Sequence, residues 1–382
     1  MKSIDQTSRA EDLNKIDWSS VKRILVVRLR SIGDTVLSTP SLIALRRFLP
    51  DAQIDVLLED WVAPLLEDFD AVNNLVTVPT KNSVPVDKDK MSARDLLIVR
   101  SLIALGLRET KYDVAFNLHG GTTATFFVRA TGAKYRIGFA NYRYNFLYTH
   151  LAPSPLDFWQ TEHAHSAEQQ LAVLGFVGVP VSDKPKSRLV ITESARNSIE
   201  KKLSAFDIQP SAFVLLHPVA AFDTKQWATE NFARVAEFLR EKNLSIVAVA
   251  TGKERGVLET LKQLSRVPIR ICDDLSLPEI TALASIAKIF VGNDSGIAHI
   301  AAAVETPSVV IFGASNINHW RPWTKAPNEI VYSEKPCRHQ LGEIRKGSEN
   351  PKCIRCVTVE EVCEAVERVL SKVNWNFPGC KE

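Results

Sequence analysis

Several segments of this chain put phosphate-binding or proton-accepting residue types where a strand gives way to a helix. In Gly292-Asn-Asp-Ser-Gly-Ile-Ala-His299, Asp294 and Ser295 open a helix whose unpaired N–H groups and positive dipole end suit a phosphate. Gly296 lets a ligand approach the backbone, and His299 falls one turn along. A plain Asp or Ser cap with a half-buried histidine has the same spacing. In Leu216-His-Pro-Val-Ala-Ala-Phe-Asp-Thr-Lys-Gln-Trp227, Lys225 is a cation for a phosphate or a departing diphosphate, or else a solvated loop lysine. Ala250-Thr-Gly-Lys-Glu254 offers Glu254 to ribose hydroxyls, or to a helix dipole as a first-turn acid. Three such loops describe a nucleotide-diphosphate site better than any one does. Near the N-terminus, Arg28-Leu-Arg-Ser-Ile-Gly-Asp34 sets one carboxylate, Asp34, at a helix start, as a base or a cap. Its single glycine, Gly33, makes it neither a dinucleotide fingerprint nor a P-loop, so dehydrogenase and P-loop NTPase chemistry lose support.

The elements that must position these loops alternate between strand and helix, the pattern of parallel sheets covered on both faces. Strands are expected at Arg23–Arg28, Ile54–Leu58, Leu75–Val78 and Val114–Leu118, with helices over Val36–Phe48, a short acidic stretch after Leu58, and 94–109. Residues 79–92 read as a polar loop, and a helix follows Gly120-Gly121. A second series has strands at Phe213–His217, Ser245–Ala250, Pro268–Ile271, Lys288–Val291 and Ser308–Phe312, with helices near 229–242, 253–264, 277–286 and 296–303. The division is a polar extension over 1–20, one domain over 21–180, a Pro- and Lys-containing linker over 181–190 and a second domain over 191–382. Binding groups should cluster where strands end and helices begin, around a cleft between two similar units.

Composition narrows the classes. The chain has 382 residues, 45% apolar and 24% charged, with a net charge of 47 − 44 = +3. That fits a folded protein of two or three domains and argues against disorder, and no dense Lys/Arg block suggests a nucleic-acid partner. No apolar run reaches the length of a membrane span and no signal-peptide pattern is present, so a cytoplasmic location with mainly reduced cysteines is expected. Charge is uneven locally: 51–70 carries seven acids and no Lys or Arg, whereas 90–150 carries nine bases against three acids. An anionic ligand or a membrane surface could meet that basic segment, or it is a solvated face.

Together, Arg-x-x-x-Ile-Gly-Asp near the N-terminus, Lys-x-Trp at 225–227 and Gly-Asn-Asp-Ser-Gly-x-x-His-x-Ala-Ala-Ala near 300 resemble glycosyltransferase family 9, the bacterial ADP-heptose:lipopolysaccharide heptosyltransferases. The resemblance runs from about residue 22 to 370 and implies the GT-B fold, two Rossmann-like domains facing a cleft. It implies inverting, metal-independent transfer of heptose from ADP-heptose to the lipopolysaccharide inner core at the cytoplasmic face of the inner membrane. ADP-heptose is a substrate there, and no cofactor is required. Asp34 is then the catalytic base and Lys225 a phosphate ligand. Asp294, Ser295, Gly296 and His299 hold the donor, with Glu254 a weaker ribose contact. Val219 stands where family members often have glycine. The segment Asp113–Gly138 resembles the acceptor side, where Gly120, Gly121 and Thr122 with Arg129, Lys134, Arg136 and Arg143 would hold phosphates or acidic sugars. Alternatives are a family member using another nucleotide sugar, or a binding protein without turnover.

Two sets remain. Asp68-Phe-Asp70 matches an Asp-x-Asp metal motif but is expected to end an acidic surface helix. Cys337, His339, Cys353 and Cys356 are four soft ligands at a spacing compatible with structural zinc, against a family habit of cysteines here without a catalytic metal; Cys272 and Cys363 follow apolar patterns and read as core.

Overall fold

A computed structural model describes residues 16–81, 91–334 and 353–373, and the chain divides into two compact units, Met1–Ser187 and Arg188–Glu382. The first holds a six-stranded parallel sheet, β1 (Arg23–Val27), β2 (Gln53–Glu59), β3 (Asn74–Val78), β4 (Val114–Asn117), β5 (Tyr135–Phe139) and β6 (His150–Ala152), in the order β3-β2-β1-β4-β5-β6. The second holds β7 (Phe213–His217), β8 (Ser245–Val249), β9 (Ile269–Cys272), β10 (Ile289–Asn293), β11 (Ser308–Ile311) and β12 (Asn328–Val331), in the order β12-β11-β10-β7-β8-β9. The central strands are continuous apolar runs because helices cover both faces: Ile24 to Val27 and Phe213 to Leu216 are all fully buried.

Both sheets reverse winding direction once. The chain leaves β1 for β2 and β3, then returns to β4 on the other side of β1; likewise it leaves β7 for β8 and β9 and returns to β10. At such a switch point the two connections depart in opposite directions and leave a crevice beyond the carboxyl ends of the strands. Those ends lead into Arg28–Asp34 and His119 in one unit, and into the Lys225 loop and Asp294 in the other.

Several boundaries differ from the sequence reading. The helix expected over Val36–Phe48 is two, Ile32–Val36 and Thr39–Phe48, with Pro40 seated in the first turn of the second. The acidic stretch after β2 folds as a 3-10 turn, Ala63–Leu66, with Asp68 and Asp70 exposed beyond it. Residues 16–20 are not an extension: Ile16 is buried, and Trp18 packs edge-on against Phe48 at 5.4 Å while its Nε1 donates to Val177 at 2.9 Å. Within 181–190, Val181, Ser187 and Leu189 are buried, so this segment packs closely despite its composition. The helix Val359–Lys372 buries Val362, Ala365, Val366 and Val369 in the core of the second unit.

Candidate active site

In the first unit Asp34 is the third residue of its helix, not the cap. Ser31 occupies the cap position, and its hydroxyl donates to Asp34 Oδ2 at 3.0 Å. The other carboxylate oxygen pairs with the guanidinium of Arg28, which also donates to the Leu118 carbonyl at the end of β4. The Arg28 side chain is 9% exposed and that of Asp34 is 23% exposed. Burial pushes the guanidinium below its ordinary pKa, and Asp34 counteracts it. The cation is therefore sealed inside while the carboxylate keeps an open face. Beside it, Asn117 Oδ1 accepts from the backbone N–H groups of His119 at 3.0 Å and Gly120 at 2.8 Å, fixing the turn after β4. Burial, then the charges of Arg28 and Arg30, hold the His119 imidazole down to about 4, with Asp34 pulling the other way. At neutral pH it is uncharged. His119 falls inside the segment Asp113–Gly138, to which the sequence reading assigned the acceptor without giving His119 a role; its place after β4, next to β1, was the usable signal.

The second unit assembles three loops. Trp227 is fully buried, with Nε1 donating to the Val357 carbonyl at 3.0 Å, and its backbone N–H donates to Asn293 Oδ1 at 3.2 Å. Gln226 accepts from Ala220 N at 2.8 Å and ties the loop back on itself. Lys225 is then delivered to Asp294, with Nζ 2.7 Å from Oδ2, and Ser315 Oγ donates to the same oxygen at 2.6 Å. The Asp294 side chain is 5% exposed and that of Lys225 is 26% exposed. Ser295 caps the helix Gly296–Ala303 through an extended backbone, accepting from Ala298 N at 3.5 Å, so Ser295 and not Asp294 is the cap. His299 is buried one turn in, with its ring centroid 6.4 Å from that of Trp320. Gly292 has no room for a side chain: a Cβ there would lie 2.8 Å from the His217 carbonyl oxygen. Val219 is buried. Glu254 is committed locally, its Oε2 accepting from Thr251 N at 3.0 Å and Thr251 Oγ1 at 2.8 Å in a capping box.

The seven residues grouped as acceptor-side do not stay together. Gly120 and Gly121, at φ +73° and +74°, adopt backbone that favours glycine and lead into the helix Gly121–Ala130 with Thr122 exposed in its first turn. Arg143 follows β5, exposed, 5.2 Å from the Tyr144 ring centroid. These four lie at the carboxyl edge of the sheet with Asp34. Arg129 is in the last turn of that helix, and Lys134 and Arg136 stand at the start of β5. In a parallel sheet that is the opposite edge, one helix length or about 15 Å away. Arg136 is also spent on the backbone, Nε donating to Leu147 O at 2.9 Å and Nη1 to Ala133 O at 2.6 Å. Grouping these three with the site is therefore corrected.

Of the proposed zinc ligands, Cys337 and His339 lie outside the described residues; Cys353 is buried and Cys356 half-buried. Among the described residues no three His, Cys, Asp or Glu side chains cluster as metal ligands. Burial raises both the Cys272 and Cys363 thiols to about 11, as for packed core cysteines.

The profile of Glycosyltransferase family 9 (heptosyltransferase) matches residues 100–347, more than half of the chain. The chain belongs to this family. It is thus a glycosyltransferase. Lipopolysaccharide heptosyltransferase 3 of Escherichia coli (strain K12) is 29% identical over 355 residues, covering 90% of this chain and 96% of that protein. Among solved structures, the family 9 glycosyl transferase from Veillonella parvula DSM 2008 superposes with a TM-score of 0.79 at 19% identity, over 94% of this chain and 100% of that one. E. coli heptosyltransferase WaaC, solved with ADP, gives 0.68 at 16% identity over 91% and 99%. These likenesses place the two Rossmann-like units in the GT-B fold.

Proposed function

We propose that this glycosyltransferase moves heptose from ADP-heptose to the lipopolysaccharide core with inversion, using Asp34 as general base. One observation carries the assignment of roles: the first unit buries the cation and exposes the carboxylate of its ion pair, and the second does the reverse. An exposed carboxylate held by a sealed arginine is suited to receive a proton. An exposed ammonium held by a sealed carboxylate is suited to receive a phosphate. The E. coli structure holding ADP and the lipopolysaccharide heptosyltransferase relative support the choice of donor and acceptor.

Asp34 accepts the proton of an acceptor hydroxyl as that oxygen bonds to the anomeric carbon and the bond to the diphosphate breaks. An ordinary carboxylate is too weak for a free sugar hydroxyl, but it takes the proton late, once an oxocarbenium-like carbon draws electrons from the oxygen. Lys225 and the N–H groups opening the helix Gly296–Ala303 stabilise ADP as it leaves, with Ser295, Asp294 and His299 shaping that pocket and Glu254 beside the ribose. Gly120, Gly121, Thr122 and Arg143 hold the acceptor, and the neutral His119 adds no further cation beside the Arg28–Asp34 pair. The acceptor is a glycolipid, so the protein works at the cytoplasmic face of the inner membrane; among the described residues no helix is long and apolar enough to cross it. The test is transfer by purified protein from ADP-heptose to a panel of truncated cores, followed by mass spectrometry. Product only with another nucleotide sugar would replace the donor, and no product with any would remove the reading.

A further inference from the structure

The helix Ala93–Glu109 turns Leu96, Ala104 and Leu107 inward and leaves Leu97, Ile98, Leu102 and Leu105 exposed by 67%, 47%, 61% and 58%. Ile98, Leu102 and Leu105 repeat at i, i+4 and i+7, with Leu97 flanking them, so they form one outward stripe. A helix with one face in the core ordinarily carries polar residues there. The helix Gly121–Ala130 packs alongside and adds Phe126, exposed by 48%. At the carboxyl end of the stripe exposed Glu109 follows Leu105 at i+4; beside it Arg108 Nη1 lies where it would be 2.6 Å from a Cβ on Gly132, and Arg129 is close enough for its charge to act on Arg136. Exposed Lys134 precedes β5 in the same corner, with Asp17 near enough to act on its charge.

We infer that this face docks on a bilayer surface rich in anionic lipid, the aliphatic stripe entering the headgroup boundary and Arg108, Arg129 and Lys134 meeting the phosphates. Exposed aliphatics beside a basic cluster are what such a surface selects. A second copy fits less well where a twofold pairing would set the cluster against itself; set against the other end of the stripe, the cluster would meet both Arg94 and Asp95. The inference rests on the proposed function only in taking the acceptor to be membrane-anchored, and it gives work to Arg129 and Lys134, which the site does not use.

The test is co-sedimentation of the full chain with phosphatidylglycerol/phosphatidylcholine vesicles, without sugar or nucleotide. Binding should fall at least about tenfold for Leu97→Ser/Leu102→Ser and for Arg129→Gln/Lys134→Gln, and should weaken in high salt. Melting curves keep the two variants comparable, and transfer to a soluble truncated acceptor should be unchanged in both. Equal binding to pure phosphatidylcholine, binding that neither variant reduces, or a leucine-dependent dimer in size exclusion without vesicle binding would each overturn it. Vesicle binding with no heptose transfer would instead count against the proposed reaction alone.

Discussion

The two switch points carry the same device in opposite polarity. Arg28–Asp34 and Lys225–Asp294 each join a residue just beyond one central strand to a partner near it, yet Arg28 is sealed and Asp34 open, while Asp294 is sealed and Lys225 open. Guanidinium suits the sealed cation because its planar fork serves Asp34 and the Leu118 carbonyl together. An ammonium suits the open one, since three donors leave two beyond Asp294 for a ligand. A doubly wound sheet supplies the crevice; which partner is buried decides whether that crevice attracts protons or anions.

The sharpest way to break the comparison is to remove the open partner of each ion pair separately. Asp34→Asn keeps size and one acceptor oxygen but can neither take a proton nor balance the sealed Arg28, so kcat should fall at least about a hundredfold with ADP binding retained and melting lowered. Turnover within a fewfold of wild type would move the base elsewhere. Lys225→Ala should act differently, weakening ADP binding and raising donor KM about tenfold or more, and lowering stability because Asp294 keeps only Ser315. If calorimetry finds ADP bound as before, the open ammonium is not a phosphate ligand.

How much of this was readable in advance depended on burial. The central strands β1 and β7 were legible because Ile24–Val27 and Phe213–Leu216 are apolar on both faces, whereas the internal β5, Tyr-Arg-Ile-Gly-Phe, was not read as a strand. The edge strands β6 and β12 were not, since His150-Leu-Ala152 and Asn328-Glu-Ile-Val331 are short and partly exposed and show no apolar run. The C-terminal helix had a usable signal in its Thr358–Glu361 capping box. Asp34, Lys225 and Asp294 were marked by motif, as was Arg28 at the head of the Asp34 motif, but the pairings were not: Arg28 meets Asp34 only through the turn after β1, and the unmarked Ser315 reaches Asp294 across a strand crossover. Arg129, Lys134 and Arg136 were misplaced because closeness in sequence ignored strand direction; a residue preceding a parallel strand sits at the edge away from the carboxyl-end loops.

A third expectation concerns what holds His119 neutral. Its pKa in the fold, about 4, lies below the ordinary 6.5, so the unfolded chain takes up a proton that the fold refuses. Above about 6.5 the group contributes no penalty; as pH falls from there toward 4 stability drops. The buried His217 and His150 are shifted in the same direction by desolvation and add to it. Urea unfolding at pH 7, 6 and 5 should show a progressive loss that His119→Gln reduces. A slope unchanged in that variant would mean His119 titrates freely, and the first unit's ion pair would then share its carboxylate with a second cation at mildly acidic pH.

The smallest effect separates the two groups of bases. Arg143 stands at the carboxyl edge with Asp34, whereas Arg129 stands at the far edge. Both are exposed, so each contributes a screened charge, worth little alone. With a soluble truncated acceptor, Arg143→Gln should raise acceptor KM a fewfold, roughly two to five times, and the difference should shrink in high salt because the Debye length falls to about 3 Å at 1 M. Arg129→Gln should leave that KM unchanged. The pair matters more than either number: equal effects would mean the anionic acceptor spans both edges of the sheet, and an effect at Arg129 alone would move the acceptor away from Asp34, leaving the open carboxylate without a hydroxyl to deprotonate.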